Sequence, residues 1–90
     1  MACIYYIRNK KNGRMYIGQT VQPLENRIKQ HLRGDTEIDK YMRYFGIDAF
    51  DYGVIEHCKS EDLDNKEIYY ISIKITLWSV LVIIVLQIPI

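Results

Sequence analysis

The sequence is poor in cysteine, has no surplus of charge of either sign and contains no repeated segment, and each lack narrows what the chain can be. Two cysteines in 90 residues cannot build a disulfide framework, and the spacing of Cys3 and Cys58 is not that of metal ligands. Twelve Lys plus Arg against eleven Asp plus Glu exclude a wholly basic chromatin-type protein and an acidic tail. A hydrophobic share of 49% with 26% charged residues excludes intrinsic disorder. No secretory signal peptide precedes the first strand-like run, so a reducing, cytoplasmic setting is expected. Neither an internal repeat nor a low-complexity linker divides the chain, and its length suits one domain.

The balanced charge conceals two asymmetries. Residues 1–33 carry seven basic groups and one acid, Glu25, whereas residues 34–74 carry five basic groups and ten acids. The amino-terminal third can therefore face a polyanion although the whole chain is nearly neutral. Residues 75–90 carry no charge, and twelve of these sixteen residues are hydrophobic. This stretch divides the chain into a domain over 1–74 and an atypical apolar tail over 75–90. The tail has three readings: a carboxy terminus produced by a frame change, a closing core element, or a marginal membrane anchor. The last is disfavoured because sixteen residues fall short of the roughly 20 that a spanning helix needs.

Along the chain, Cys3–Ile7 is β-branched and aromatic and reads as a strand. Asn12-Gly13 supplies a tight turn, and Arg14–Gly18 reads as the partner strand. Pro23 opens a helix with a ridge of Leu24, Ile28 and Leu32, and Gly34 is expected as its left-handed cap. Asp35 or Thr36 caps a second helix bearing Ile38, Tyr41, Met42 and Phe45 on one face, with Gly46 at its end. Residues 50–57 alternate as a third strand, and Ser60 starts a third helix running to about Ile73. The order β-β-α-α-β-α implies an α+β domain, a small antiparallel three-stranded sheet covered by helices.

The chemistry-bearing residues follow from this layout. Tyr5 and Tyr16 share one face of the hairpin by the period of two. With a tight Asn12-Gly13 turn they stand about four residues apart along the strands, roughly 13 Å, too far for one phosphate. A longer turn that shifts the register, or strand twist, would bring them together. Arg27 and His31 share a helix face beside the apolar ridge. Glu67 lies one turn after Leu63 and one before Ile71, so its carboxylate sits at an apolar face and must be paired or bind a metal. Arg8, Lys10, Lys11 and Arg14 form a basic hairpin that either solubilises this end or tracks phosphates. Two tyrosines, an arginine, a histidine and a glutamate suit phosphodiester cleavage. That reaction needs a group to deprotonate water, a cation on the phosphate and a metal at the leaving oxygen. Mg²⁺ takes as few as one or two protein carboxylates.

Cys3-Ile4-Tyr5, then Tyr16-Ile17-Gly18-Gln19-Thr20, then Arg27 and His31, then Glu67 before Tyr70-Ile71, resemble the GIY-YIG nuclease family over residues 3 to about 72. The resemblance implies an endonuclease that cuts DNA with one divalent metal, Mg²⁺ or Mn²⁺. By position it implies that Tyr5 or Tyr16 forms the general base and that Arg27 holds and polarises the scissile phosphate. It further implies that His31 assists proton transfer and that Glu67 binds the metal. Cys3 stands where the family has its first glycine. After Ile71 the apolar tail replaces the family's polar, Asn- and Gly-containing segment. A second reading keeps the fold as a catalytically impaired nucleic-acid-binding module with an altered carboxy terminus. Site specificity is expected from a protein partner, a separate DNA-binding module or DNA structure.

Overall fold

The structure, a computed structural model, describes residues 2–74. The readings of the tail over 75–90 lie outside the described residues. Strand β1 (Cys3–Asn9) is central in a sheet of order β2-β1-β3, with β2 (Met15–Thr20) and β3 (Phe50–His57) both antiparallel to it. Helices α1 (Leu24–His31) and α2 (Glu37–Phe45) lie between β2 and β3 in the chain. A short 3₁₀ turn, Ser60–Asp62, leads into helix α3, residues 63–74. The expected α+β architecture is what forms.

The turn between β1 and β2 is longer than a two-residue Asn-Gly turn. Asn9 N–H donates to the Arg14 carbonyl and Gly13 N–H to the Asn9 carbonyl, both at 2.8 Å, so residues 10–13 form the loop. The fully buried Asn9 explains the choice. Its Oδ1 accepts from the Lys11 and Asn12 N–H groups, and its Nδ2 donates to the Tyr41 hydroxyl. Such an Asx contact organises a turn without further partners. Gly13, at φ 74, takes the left-handed position. The longer loop slides the register by two, so Tyr5 pairs with Gly18 and Ile7 with Tyr16. A shift of two keeps every side chain on its expected face and makes Tyr5 and Tyr16 diagonal neighbours.

Thr36 caps α2 with a reciprocal box: its hydroxyl accepts from Asp39 N–H, and the Asp39 side chain accepts from Thr36 N–H. Gly46 ends the helix at φ 84. Gly34 is not the left-handed cap expected for α1; that helix closes on Leu32 in the right-handed region, and among the described residues only Gly13 and Gly46 have positive φ.

Both faces of the sheet are covered. On one, Tyr5, Ile7 and Phe50 pack with Ile28 of α1 and Met42 of α2. On the other, Ala2, Ile4 and Ile17 pack against Leu63, with Tyr70 and Ile71 of α3 alongside. In β3 the register slips at Ile55, since Ile4 faces Glu56 and Tyr5 faces Val54. Strand β2 is left as an edge between the α1/α2 layer and α3, and the candidate site straddles that edge.

Candidate active site at the sheet edge

Tyr5 and Tyr16 meet because nothing stands between them. Their ring centroids are 6.3 Å apart, and each ring stands edge-on to His31, at 5.9 and 5.7 Å. Gly18, opposite Tyr5, makes this approach feasible. A Cβ there would lie 2.6 Å from both Cζ and the hydroxyl oxygen of Tyr5 and 2.8 Å from Cε1 of Tyr16. Cys3, at the first position of the first tripeptide, is buried in β1 and displaces none of these groups.

His31 ends α1 inside the core. Its Nε2 is 2.7 Å from the Tyr5 hydroxyl, and its Nδ1 is 2.6 Å from Asp39 Oδ1. Burial pushes the Asp39 carboxyl up, but hydrogen bonds from His31 and from both the hydroxyl and the N–H of Thr36 outweigh it and hold the group below its ordinary value. An ionised Asp39 only accepts, so His31 Nδ1 carries a hydrogen.

Burial pushes the Tyr5 hydroxyl well above the ordinary phenol range, and Tyr16 adds to that while the Arg27 charge opposes it. Tyr16 is raised for the same first reason, with Arg27 lowering it and the Glu67 charge raising it. The half-buried Arg27 thus acts on both hydroxyls, and its Nη1 also donates to Gln30 Oε1 at 3.3 Å. Tyr16 is half-buried and, with Arg14, Ile38, Tyr41 and Phe50, lines a cleft of about 280 Å³ that is open to solvent.

Glu67 approaches from α3, on the other side of the β2 edge. The Gln19 amide, on the α3 face of β2, donates to Glu67 Oε2 and, at 2.9 Å, to Asp64 Oδ1. Among the described residues no three His, Cys, Asp or Glu side chains converge. The donors present, Glu67 with Asp64 one turn away, suit a hard cation that takes one or two carboxylates and keeps several waters. All four residues of the basic hairpin are exposed; Arg8 pairs with Asp51 at 2.7 Å and Lys10 donates to the Asp48 carbonyl.

The fold therefore gathers Tyr5, Tyr16, Arg27 and His31 at one place and brings the charge of Glu67 to Tyr16. Three neighbours escaped the sequence reading. Asp39 carried a signal, the Thr-x-x-Asp spacing of a capping box before an apolar run. Asp64 sits three residues before Glu67 and so shares its helix face. Gln19 stands in the second motif string, but its pairing with Glu67 had no signal there.

A protein-family model described as the GIY-YIG catalytic domain matches residues 1–74. No curated protein and no solved structure matches the chain.

Proposed function

The chain belongs to the GIY-YIG catalytic domain family, which points to a nuclease, and from that premise we propose that it is a metal-dependent endonuclease hydrolysing DNA phosphodiester bonds. The observation that carries the reading is the meeting of two tyrosine hydroxyls, a buried histidine and an arginine charge on one side of the β2 edge, with Glu67 on the other. Arg27 receives the scissile phosphate and offsets its developing charge, a contribution worth about 10²–10³ in rate for such a donor. Both tyrosines are neutral near pH 7, because burial raises them. A neutral phenol takes a proton from water only as it gives up its own. The half-buried Tyr16 meets the water and passes its proton inward to Tyr5, which has an acceptor at 2.7 Å in His31 Nε2. Glu67, steadied by Gln19, would hold Mg²⁺ or Mn²⁺, which when bound stabilises charge on the leaving oxygen. Both cysteines are free thiols, which suits a cytoplasmic enzyme.

Nicking of supercoiled plasmid by the purified chain, with Mg²⁺ or Mn²⁺ and with chelator, tests the reading. Glu67→Ala and Arg27→Ala are expected to lose about 100-fold or more in cleavage rate while unfolding at nearly the wild-type midpoint. Equal trace activity in wild type and Glu67→Ala would remove the assignment. Retained DNA binding without cleavage would instead favour the impaired binding module.

A further inference from the structure

We propose that Asp39 is the positioning residue of this site, holding His31 in the tautomer whose Nε2 accepts the proton of Tyr5. The inference rests on the nuclease reading and names a residue that neither tripeptide of the motif contains. Asp39 is 6% exposed, His31 1% and Tyr5 0%, so the three are linked away from water. The two Asp39 oxygens have separate duties. Oδ2 accepts from Thr36 N–H at 3.1 Å and caps α2, while Oδ1 takes His31 Nδ1 at 2.6 Å. A capping box needs only the first. Loop geometry is also fitted to the carboxylate: a Cβ on Gly34 would fall on Asp39 Oδ2. Arg43 Nη1 donates to the Gly34 carbonyl and ties that turn to α2. The absence of a side chain at Gly34, not a left-handed backbone, is what the loop requires there.

For a neutral His31, which the base role requires, the tautomer follows by elimination. A carboxylate has no hydrogen, so Nδ1 donates. A neutral imidazole has one hydrogen, so Nε2 is left as an acceptor, and the Tyr5 hydroxyl at 2.7 Å donates to it. In the hydrolytic step the oxygen of water bonds to phosphorus, and its proton passes to the half-buried Tyr16 oxygen as the Tyr16 proton passes to its hydrogen-bonded neighbour Tyr5 and the Tyr5 proton to Nε2. The bond from phosphorus to the leaving oxygen breaks with its electron pair on that oxygen, which is then protonated from solvent. The imidazolium formed on His31 is held by Asp39 until its proton leaves again through the Tyr5 and Tyr16 hydroxyls. Nothing is oxidised or reduced. Asp39 touches neither substrate nor the reacting atoms.

The test is Asp39→Asn in the full chain, with imidazole nitrogen shifts of ¹⁵N-histidine-labelled protein read by NMR beside cleavage kinetics. Wild type is expected to show His31 protonated on Nδ1 with Nε2 bare. Asp39→Asn is expected to lose that pattern, since an amide accepts or donates at Nδ1 equally well. Its kcat should fall by about 100-fold or more with KM changed less than about threefold. A variant that keeps both the tautomer and kcat overturns the proposal, as does one that loses the tautomer without losing kcat. Should Asp39→Asn not fold, the wild-type spectrum decides, and an Nε2-protonated His31 there overturns it. The nitrogen shifts judge the Asp39 contact even in a chain that cuts no DNA, so failure of the nuclease reading and failure of this contact are told apart.

Discussion

The two sides of the β2 edge are built by different rules. On the α1/α2 side, Tyr5, His31 and Asp39 are nearly free of solvent and each polar atom has a fixed partner, so the network forms as part of the core. On the α3 side, Gln19, Asp64 and Glu67 meet in half-buried or exposed positions, where water can replace any contact. A buried donor or acceptor that loses its partner costs about 1–3 kcal/mol, whereas an exposed one costs little. Changes within the buried Tyr5, His31 and Asp39 network should therefore damage stability and cleavage together, whereas the half-buried Arg27 is outside that rule. Changes on the second should damage cleavage alone.

The largest effect on the fold is expected at Gly18, where that division is easiest to break. A Cβ there meets the Tyr5 ring at 2.6 Å, and Tyr5, wholly buried, has nowhere to move. Gly18→Ala should lose about 1–3 kcal/mol in urea unfolding and at least tenfold in cleavage. Gly53→Ala on β3 is the control. Its Cβ would come 3.1 Å from Tyr6, a half-buried ring that can give way, so under about 1 kcal/mol is expected. Equal costs for the two would mean that crowding at Tyr5 is not special.

Asp39 comes next, and acid sharpens the contrast. Its folded carboxyl titrates below the ordinary value of about 3.9. Near that pH the unfolded chain binds a proton that the folded chain does not, so stability rises with pH through this window. The contribution is complete above the unfolded value and is lost as pH falls through the folded one. The gap between wild type and Asp39→Asn, on the order of 2 kcal/mol at neutral pH, should shrink below about pH 4. Urea midpoints measured from neutral pH down to pH 3 check this. A gap unchanged to pH 3 would mean that the His31 and Thr36 contacts do not hold the carboxylate.

Much of this is legible in the sequence. The Leu24, Ile28 and Leu32 ridge, a cap at Asp35 or Thr36, the third strand at 50–57 and the shared face of Tyr5 and Tyr16 all follow from period and capping chemistry. The distance between the tyrosines did not follow, because it depends on loop length. Asn12-Gly13 pointed to a two-residue turn, while the buried Asn9 side chain stabilises a longer one. Gly34 departs from the expected cap for a related reason. A glycine after a helix has two uses, a left-handed cap or clearance for a neighbour, and only the position of Asp39 distinguishes them. Pairings across the sheet edge, Gln19 with Glu67 among them, join residues 48 apart and leave no trace in local pattern.

Gln19 carries the smallest expected effect on the fold and the clearest test of the α3 side. Its amide donates to both Glu67 and Asp64, so it fixes the rotamer of one carboxylate against the other. Removing it leaves two half-buried or exposed acids that water can satisfy, and Gln19→Ala should change the unfolding midpoint by no more than about 0.5 kcal/mol. Its consequence should lie in the cation requirement. Groups that orient a ligating carboxylate typically contribute 10- to 100-fold in metal affinity, so half-maximal cleavage should need about tenfold more Mg²⁺. At saturating Mg²⁺ the rate should return to within a few fold of wild type, because Tyr5, His31 and Asp39 across the edge are untouched. A loss of rate that Mg²⁺ does not restore would mean that Gln19 acts on Tyr16 or the substrate directly, and the two sides of the edge would then form one unit.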